Sequence, residues 1–124
     1  MLAEIEKIEA ELATLEENIA SYFEGDPRTQ AAFWTRAGET LADLGQIDAA
    51  VQRFGKADAV LPGHVPALEG WRQAALKGEL WVDVAEAATR QAAGAEGSRR
   101  AQLHHLAGVA LMDKALVGDQ AMLA

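Results

Sequence analysis

Residues 31–64, AAFWTRAGETLADLGQIDAAVQRFGKADAVLPGH, decide the fold of this chain. Apolar residues recur at helical spacing on both sides of Gly45, and Pro62 with Gly63 ends the second of the two segments. Two helices joined by so short a turn must lie antiparallel. The stretch therefore predicts a helical hairpin, and small residues at Gly38 and Ala50 indicate where its two helices cross closely.

The spacing of large and small residues in this hairpin follows one register. The positions that define it are Trp34, Ala37, Gly38, Leu41, Gly45, Ala50, Phe54, Ala57 and Pro62. This pattern resembles the tetratricopeptide repeat, a helix–turn–helix unit with a period of 34 residues. The resemblance implies an all-α fold in which right-handed helical hairpins stack into a solenoid of about six or seven antiparallel helices.

Two further repeats follow from the same period. Residues 65–98 form a degenerate second repeat, in which Arg72 replaces the small crossing residue and Gly78 comes one place early. Its apolar positions are Leu68, Trp71, Ala75, Trp81, Val84 and Ala88. A step of 36 residues aligns Ala107, Gly108 and Leu111 with the start of a partial third repeat over residues 101–124. The array is thus predicted to occupy residues 26–124.

Turn and capping signals predict the ends of the helices. The predicted helices cover residues 2–24, 27–44, 48–60, 66–77, 79–93 and 98–117, and a seventh helix starts at Gly118 and Asp119. Asp26 and Ser98 are the predicted N-caps of the second and sixth helices. His104, in the place of Trp34, is predicted to pack in the core, as are Trp34, Trp71 and Trp81.

The first 25 residues are predicted to form a separate acidic helix. They contain seven glutamates and one lysine, a net charge of −6 out of −8 for the whole chain. Its apolar residues have the spacing of a heptad seam: Ile5, Ile8, Leu12, Leu15, Ile19 and Tyr22. The leading interpretation is a helix that caps the first repeat, because the end of a repeat array needs cover. Antiparallel self-association, or pairing with a basic helix, is the alternative.

Composition excludes several function classes. The chain has 27 alanines and no cysteine, which favours close-packed helices and leaves neither disulfides nor thiolate metal sites. An acidic chain without a basic stripe argues against nucleic-acid binding. No apolar run is long enough to cross a bilayer, and acidic residues stand where a signal peptide needs positive charge. The cytoplasm is the default compartment, although a fragment of a secreted protein is not excluded. Arginine outnumbers lysine, which with the abundant alanine is typical of GC-rich bacterial sources.

The residue types needed for catalysis are sparse. His104 and His105 are adjacent and point about 100° apart on a helix, so they cannot bind one metal from the same face. Ser21, Ser98 and Tyr22 are the only hydroxyl candidates besides threonine. We therefore expect no enzyme activity, no metal and no cofactor.

The resemblance implies that a partner binds in a concave groove lined by the first helix of each hairpin. Carried over position by position, the groove residues are Thr35, Glu39, Asp43, Glu69, Gln73, Leu76, His105, Val109 and Met112. Acidic residues at one end predict a protein or peptide segment with lysine or arginine near an apolar anchor. The predicted function is a protein-interaction scaffold. Alternatives are a small chaperone of bacterial secretion clients, and an assembly module that forms homo-oligomers through its N-terminal helix or its open end.

Overall fold

The computed structural model describes residues 2–22 and 25–123, except for the side chains at 2, 5, 9, 13, 17, 20–22 and 114–123. These residues form six α-helices and no strand. The helices are α1 (Leu2–Tyr22), α2 (Pro27–Asp43), α3 (Ile47–Val60), α4 (Val65–Lys77), α5 (Trp81–Ala93) and α6 (Gly97–Leu123). The all-α prediction is confirmed for this part of the chain.

Helix α2 begins and ends where the sequence predicts, within a residue. The Asp26 carboxylate accepts a hydrogen bond from the Thr29 backbone N–H at 3.2 Å and another from the Thr29 hydroxyl at 2.5 Å. These bonds satisfy an N–H that has no partner inside the helix, and the Thr29 hydroxyl bond is the main cause that lowers the pKa of Asp26. The helix is followed by Gly45, whose φ of +82° belongs to the left-handed region that glycine adopts without strain.

The turn between α4 and α5 differs from the prediction, because α5 begins at Trp81 and not at residue 79. Glu79, and not Gly78, has the left-handed conformation here, with φ of +56°. A Cβ atom at Gly78 would lie 2.6 Å from Cγ2 of Ile47, so the glycine is needed for that contact and not for its φ. The glycine at position 78 is thus explained by packing.

Two predictions about the sixth helix are wrong. The helix begins at Gly97, so Ser98 lies inside its first turn and is not the N-cap. It then runs through Gly118 to Leu123 without a break, so no seventh helix starts there. One glycine inside a helix costs only about 1 kcal/mol relative to alanine, and no proline follows to end the helix.

Successive helices pack on one another. Helices α2 and α3, α3 and α4, α4 and α5, and α5 and α6 are neighbours, and α2 also packs on α4. The Phe54 side chain, on α3, lies between α2 and α4 and is 1% exposed. Glycines on both sides make this possible, because a Cβ atom at Gly38 would lie 2.8 Å from the ring and one at Gly70 would lie 2.5 Å from it.

Helix α1 packs on the hairpin formed by α2 and α3. Leu12 and Ile19 are buried there, while Leu15 is 46% exposed. The Glu16 carboxylate forms an ion pair with Arg53 and lies 3.8 Å from Nζ of Lys56, both on α3. The seam residues Ile5 and Tyr22 lie outside the described side chains. Helix α1 thus packs on the α2–α3 hairpin and leaves Leu15 of its seam largely uncovered.

The predicted core aromatics are largely in place. Trp34 and Trp71 are buried in two different core clusters, and Trp81 is half-buried against the cluster that contains Trp71. The prediction for His104 is wrong, since its side chain is exposed. Trp34 is covered by its own hairpin partner, whereas no described residue forms a second helix that could cover the same side of α6.

None of the described helices has the length and apolar character needed to cross a membrane.

Candidate functional site

A concave site lies between α2 and α4. We call this cavity of about 210 Å³ the α2–α4 groove. Its walls are Glu39, Ala42 and Asp43 from α2, Phe54 from α3, and Gly70, Gln73, Ala74 and Lys77 from α4. Polar side chains form the rim and apolar groups form the floor, which is the usual composition of a ligand site.

Helical periodicity sets the two rims. Glu39 and Asp43 are four residues apart and project from one face of α2, and Gln73 and Lys77 do the same on α4. At the floor, the Phe54 ring is 1% exposed and fills the space beside Gly70, so the accessible floor is formed mainly by the half-buried Ala42 and Gly70. The groove charges are two carboxylates and one ammonium, a net charge of −1. Lys77 also lies in the last turn of α4, where a positive charge interacts favourably with the helix dipole.

A second cavity, of about 230 Å³, separates α4 from α6, and we call it the α4–α6 cavity. It exists because α6 packs closely on α5 but meets α4 at most marginally, unlike α2, which packs directly on α4. Leu68 and Leu103 are its buried apolar residues. Glu69, Arg90 and Arg99 are its charged ones.

Glu69 is the centre of a hydrogen-bond network beside this cavity. Its carboxylate accepts from the guanidinium of Arg72, from Gln73 at 2.9 Å and from Gln91 at 2.8 Å, and Arg99 lies 3.7 Å away. The hydrogen bond from Arg72 is the main cause that lowers the pKa of Glu69. Arg72 also donates from Nε to the Gln91 side chain at 2.9 Å, which ties α4 to α5. The arginine at the crossing position is therefore part of the α4–α5 contact.

Asp58 forms a second polar link, between α3 and α5. It is 3% exposed and accepts hydrogen bonds from the Gly63 backbone N–H at 3.0 Å and from Arg90 at 2.5 Å. The pKa of Arg90 is raised mainly by its hydrogen bond to Glu86, and to a smaller extent by its hydrogen bond to Asp58. The Arg90 guanidinium also lies over the Trp71 ring, 5.6 Å from its centre. The link therefore lies beside the α4–α6 cavity, which Arg90 also lines.

The nine predicted groove residues do not form one surface. Glu39, Asp43 and Gln73 line the α2–α4 groove together and are exposed. The prediction for Thr35 is wrong: the side chain is 4% exposed and its hydroxyl donates to the Ala31 carbonyl at 2.7 Å. A side chain this short, on a helix that packs on both its hairpin partner and α4, does not reach the surface.

The remaining predicted residues lie elsewhere. Glu69 is half-buried and lines the α4–α6 cavity, and Leu76 is half-buried against the core. His105, Val109 and Met112 are exposed on α6 but line neither cavity. They are separated from the α2–α4 groove because α6 does not continue the close packing of α2 on α4.

Sequence reasoning missed Phe54, Gly70 and Lys77 as groove residues. Lys77 could have been found, since it lies one helical turn after Gln73 on the same face. Phe54 and Gly70 carried no such signal, because Phe54 comes from a helix that the repeat pattern assigns to the outer side of the hairpin. No group of three or more histidine, aspartate or glutamate side chains is placed to hold a metal ion within the described ranges.

Comparison of the chain with protein-family models, with curated proteins and with solved structures finds no match in any of the three.

Proposed function

We propose that this chain is a protein-interaction module, a short array of the tetratricopeptide type that holds a peptide segment of a partner in the α2–α4 groove. One observation carries the proposal: residues predicted from the repeat register, Glu39, Asp43 and Gln73, line a single concave site. A polar rim over an apolar floor supports binding of a segment and not of a flat surface.

The groove chemistry favours a particular kind of segment. A lysine or arginine would lie beside Glu39 and Asp43, and a neighbouring apolar side chain would lie on the floor that Ala42, Gly70 and Ala74 form. Ion pairs on an exposed rim contribute only about 0–1 kcal/mol each, so the apolar contact supplies most of the affinity. The carboxylates act mainly on selectivity and on the association rate.

A peptide selection tests the proposal. The probe is a random peptide library selected on the immobilised protein, and the enriched peptides are then measured by fluorescence anisotropy. We expect enrichment of lysine or arginine next to a large apolar residue. The double variant Glu39→Lys with Asp43→Lys should weaken binding of these peptides by about tenfold or more, because attraction becomes repulsion at two positions.

The matched control reverses two acidic charges outside the groove. Asp48 and Glu96 are exposed on other elements, and Asp48→Lys with Glu96→Lys changes the net charge by the same amount. This control should bind the selected peptides as the wild type does. Equal loss in both double variants would mean that only net charge matters, and the proposal would fail. Glu69 is unsuitable for this test, since its replacement would also disturb the α4–α5 contact.

A further inference from the structure

The charged side chains of the α2–α4 groove are not paired with other side chains. Glu39 and Asp43 on α2 and Lys77 on α4 line the groove and are exposed. Within the part of the chain that the structure describes, none of the three forms an ion pair or a side-chain hydrogen bond. Their charges are therefore available to a ligand that enters the groove.

The α4–α6 cavity differs in this respect. Its charged residues pair with other residues of the protein: Arg90 with Asp58 and Glu86, and Arg99 with Glu69 at 3.7 Å. These pairs connect neighbouring helices to one another. The charges of the α2–α4 groove make no such connection.

The two rims of the groove carry opposite charges at the same end. The Phe54 ring lies against both Gly38 and Gly70, so these two positions are at the same level of α2 and α4. Short turns on both sides of α3 make α2 and α4 run in the same direction. Asp43 and Lys77 are the last residues of the two helices, so they lie on opposite rims at this end.

No acidic residue of the α4 rim offsets the charge of Lys77 in the described structure. Gln73, the other polar residue of this rim, is neutral. Glu69, one turn earlier on α4, is held by Arg72, and Glu79 is exposed but does not line the groove. A ligand therefore meets negative charge on the α2 rim and positive charge on the α4 rim.

We propose that Lys77 selects partner segments that carry a carboxylate as well as a basic residue. The basic residue lies against Glu39 and Asp43, and the carboxylate lies against Lys77. These contacts on opposite rims fix the direction in which the segment crosses the groove. The inference rests on the proposed function, since it concerns the same groove, and it adds a property that the net charge of −1 does not predict.

The carboxylate has two sources, an acidic side chain or the C-terminus of the partner segment. The probe is the tightest peptide from the library, presented with a free C-terminus. It is synthesised as selected, with every acidic side chain changed to its amide, and with its C-terminus amidated. We expect one of the two changes to weaken binding about twofold to fivefold in fluorescence anisotropy, as for an exposed ion pair. Unchanged affinity in both forms overturns the inference.

Reversal of the charge at Lys77 gives the second readout. Lys77→Glu should weaken binding of the selected peptide about fivefold or more, because attraction becomes repulsion. A second peptide, in which a lysine stands in place of the carboxylate group, should bind Lys77→Glu more tightly than it binds the wild type. Lys77 also interacts with the dipole of α4, but a weakened α4 would reduce binding of both peptides and cannot cause this reversal.

Arg100→Glu is the matched control. Arg100 is exposed on α6 and does not line the groove, and its reversal changes the net charge by the same amount. This variant should bind both peptides as the wild type does. An equal loss in Arg100→Glu and Lys77→Glu would mean that only net charge matters, and the inference would be overturned.

Failure of this inference can be distinguished from failure of the proposed function. If Glu39→Lys with Asp43→Lys weakens binding and Lys77→Glu does not, the selection by Lys77 is overturned and the groove remains the binding site. If neither variant changes the affinity, the peptides bind elsewhere and both proposals fail.

Discussion

At the level of single residues, the contact between α2, α3 and α4 depends on two glycines. Phe54 occupies the space where side chains at positions 38 and 70 would otherwise lie. The sequence predicted the role of Gly38, because the repeat register marks it as a crossing position. Gly70 was not predicted, since its contact partner lies in the preceding hairpin and position 70 is not one of the register positions.

Gly70→Ala should therefore destabilise the protein. The new Cβ atom would lie 2.5 Å from the Phe54 ring, and overpacking of this kind costs about 1–3 kcal/mol. The control is Gly55→Ala, one residue away from Phe54 on α3, where a Cβ atom meets nothing within 4 Å. That change should stabilise the helix by about 0.5–1 kcal/mol. Urea unfolding followed by circular dichroism measures both, and equal effects in the two variants would contradict the packing of Phe54.

Glu79 is a second position where one residue matters. Its φ of +56° is unfavourable for a side chain with a Cβ atom, so Glu79→Gly should raise the free energy of unfolding by about 1 kcal/mol. Gly45→Ala, at φ of +82° in the equivalent turn, should lower it by a similar amount. Thermal and urea unfolding of the two variants test the pair, and a destabilised Glu79→Gly protein would show that the turn has another conformation.

At the level of elements, α3 and α5 are joined through Asp58. Asp58→Ala would leave the Gly63 N–H and Arg90 without this acceptor, and we expect a loss of about 1–3 kcal/mol. Asp48→Ala is the control on the same helix, where the side chain is exposed, and it should cost about 0.5 kcal/mol or less. Urea unfolding distinguishes them. Similar losses in the two variants would contradict a structural role for Asp58.

The α4–α5 contact should depend on pH through Glu69. Its pKa is lowered below the ordinary value of 4.5, so it stabilises the folded protein above that pH, and this contribution is lost as pH falls through the folded-state pKa. Glu69→Gln should thus be less stable than wild type at neutral pH, and the difference should shrink in acid. Urea midpoints of both proteins across this range measure it. A difference that does not change with pH would mean that the charge of Glu69 is not what stabilises the contact.

Most helices could be predicted from the sequence, but the bounds of the sixth helix could not. Asp26, Gly45 and Pro62 mark turns by local chemistry, and those boundaries fall within a residue or two of the observed ones. Ser98 and Gly118 carried similar signals, but a serine near a helix start and a glycine inside a helix are both tolerated at small cost. The burial of His104 depends on a second helix packing on α6, and no local residue pattern reports whether such a helix is there.

At the level of the whole molecule, the groove was only partly predictable. Glu39, Asp43 and Gln73 line one cavity because α2 and α4 pack as neighbours. The register failed for His105 and Met112, since it assumes the same spacing between α4 and α6. The α4–α6 cavity shows that α4 and α6 are less closely packed than α2 and α4. The packing between two helices cannot be read from the residue pattern of either helix alone.

The most direct test of the proposed function is a map of where a selected peptide binds. Amide chemical shifts of the isotope-labelled protein are followed while the tightest peptide from the library is added. The proposal predicts saturable changes centred on the α2–α4 groove, largest near Glu39, Gly70 and Gln73, with little change at Val82 on α5. Changes centred on α5 or on α6, or no saturable change in the groove, would contradict it.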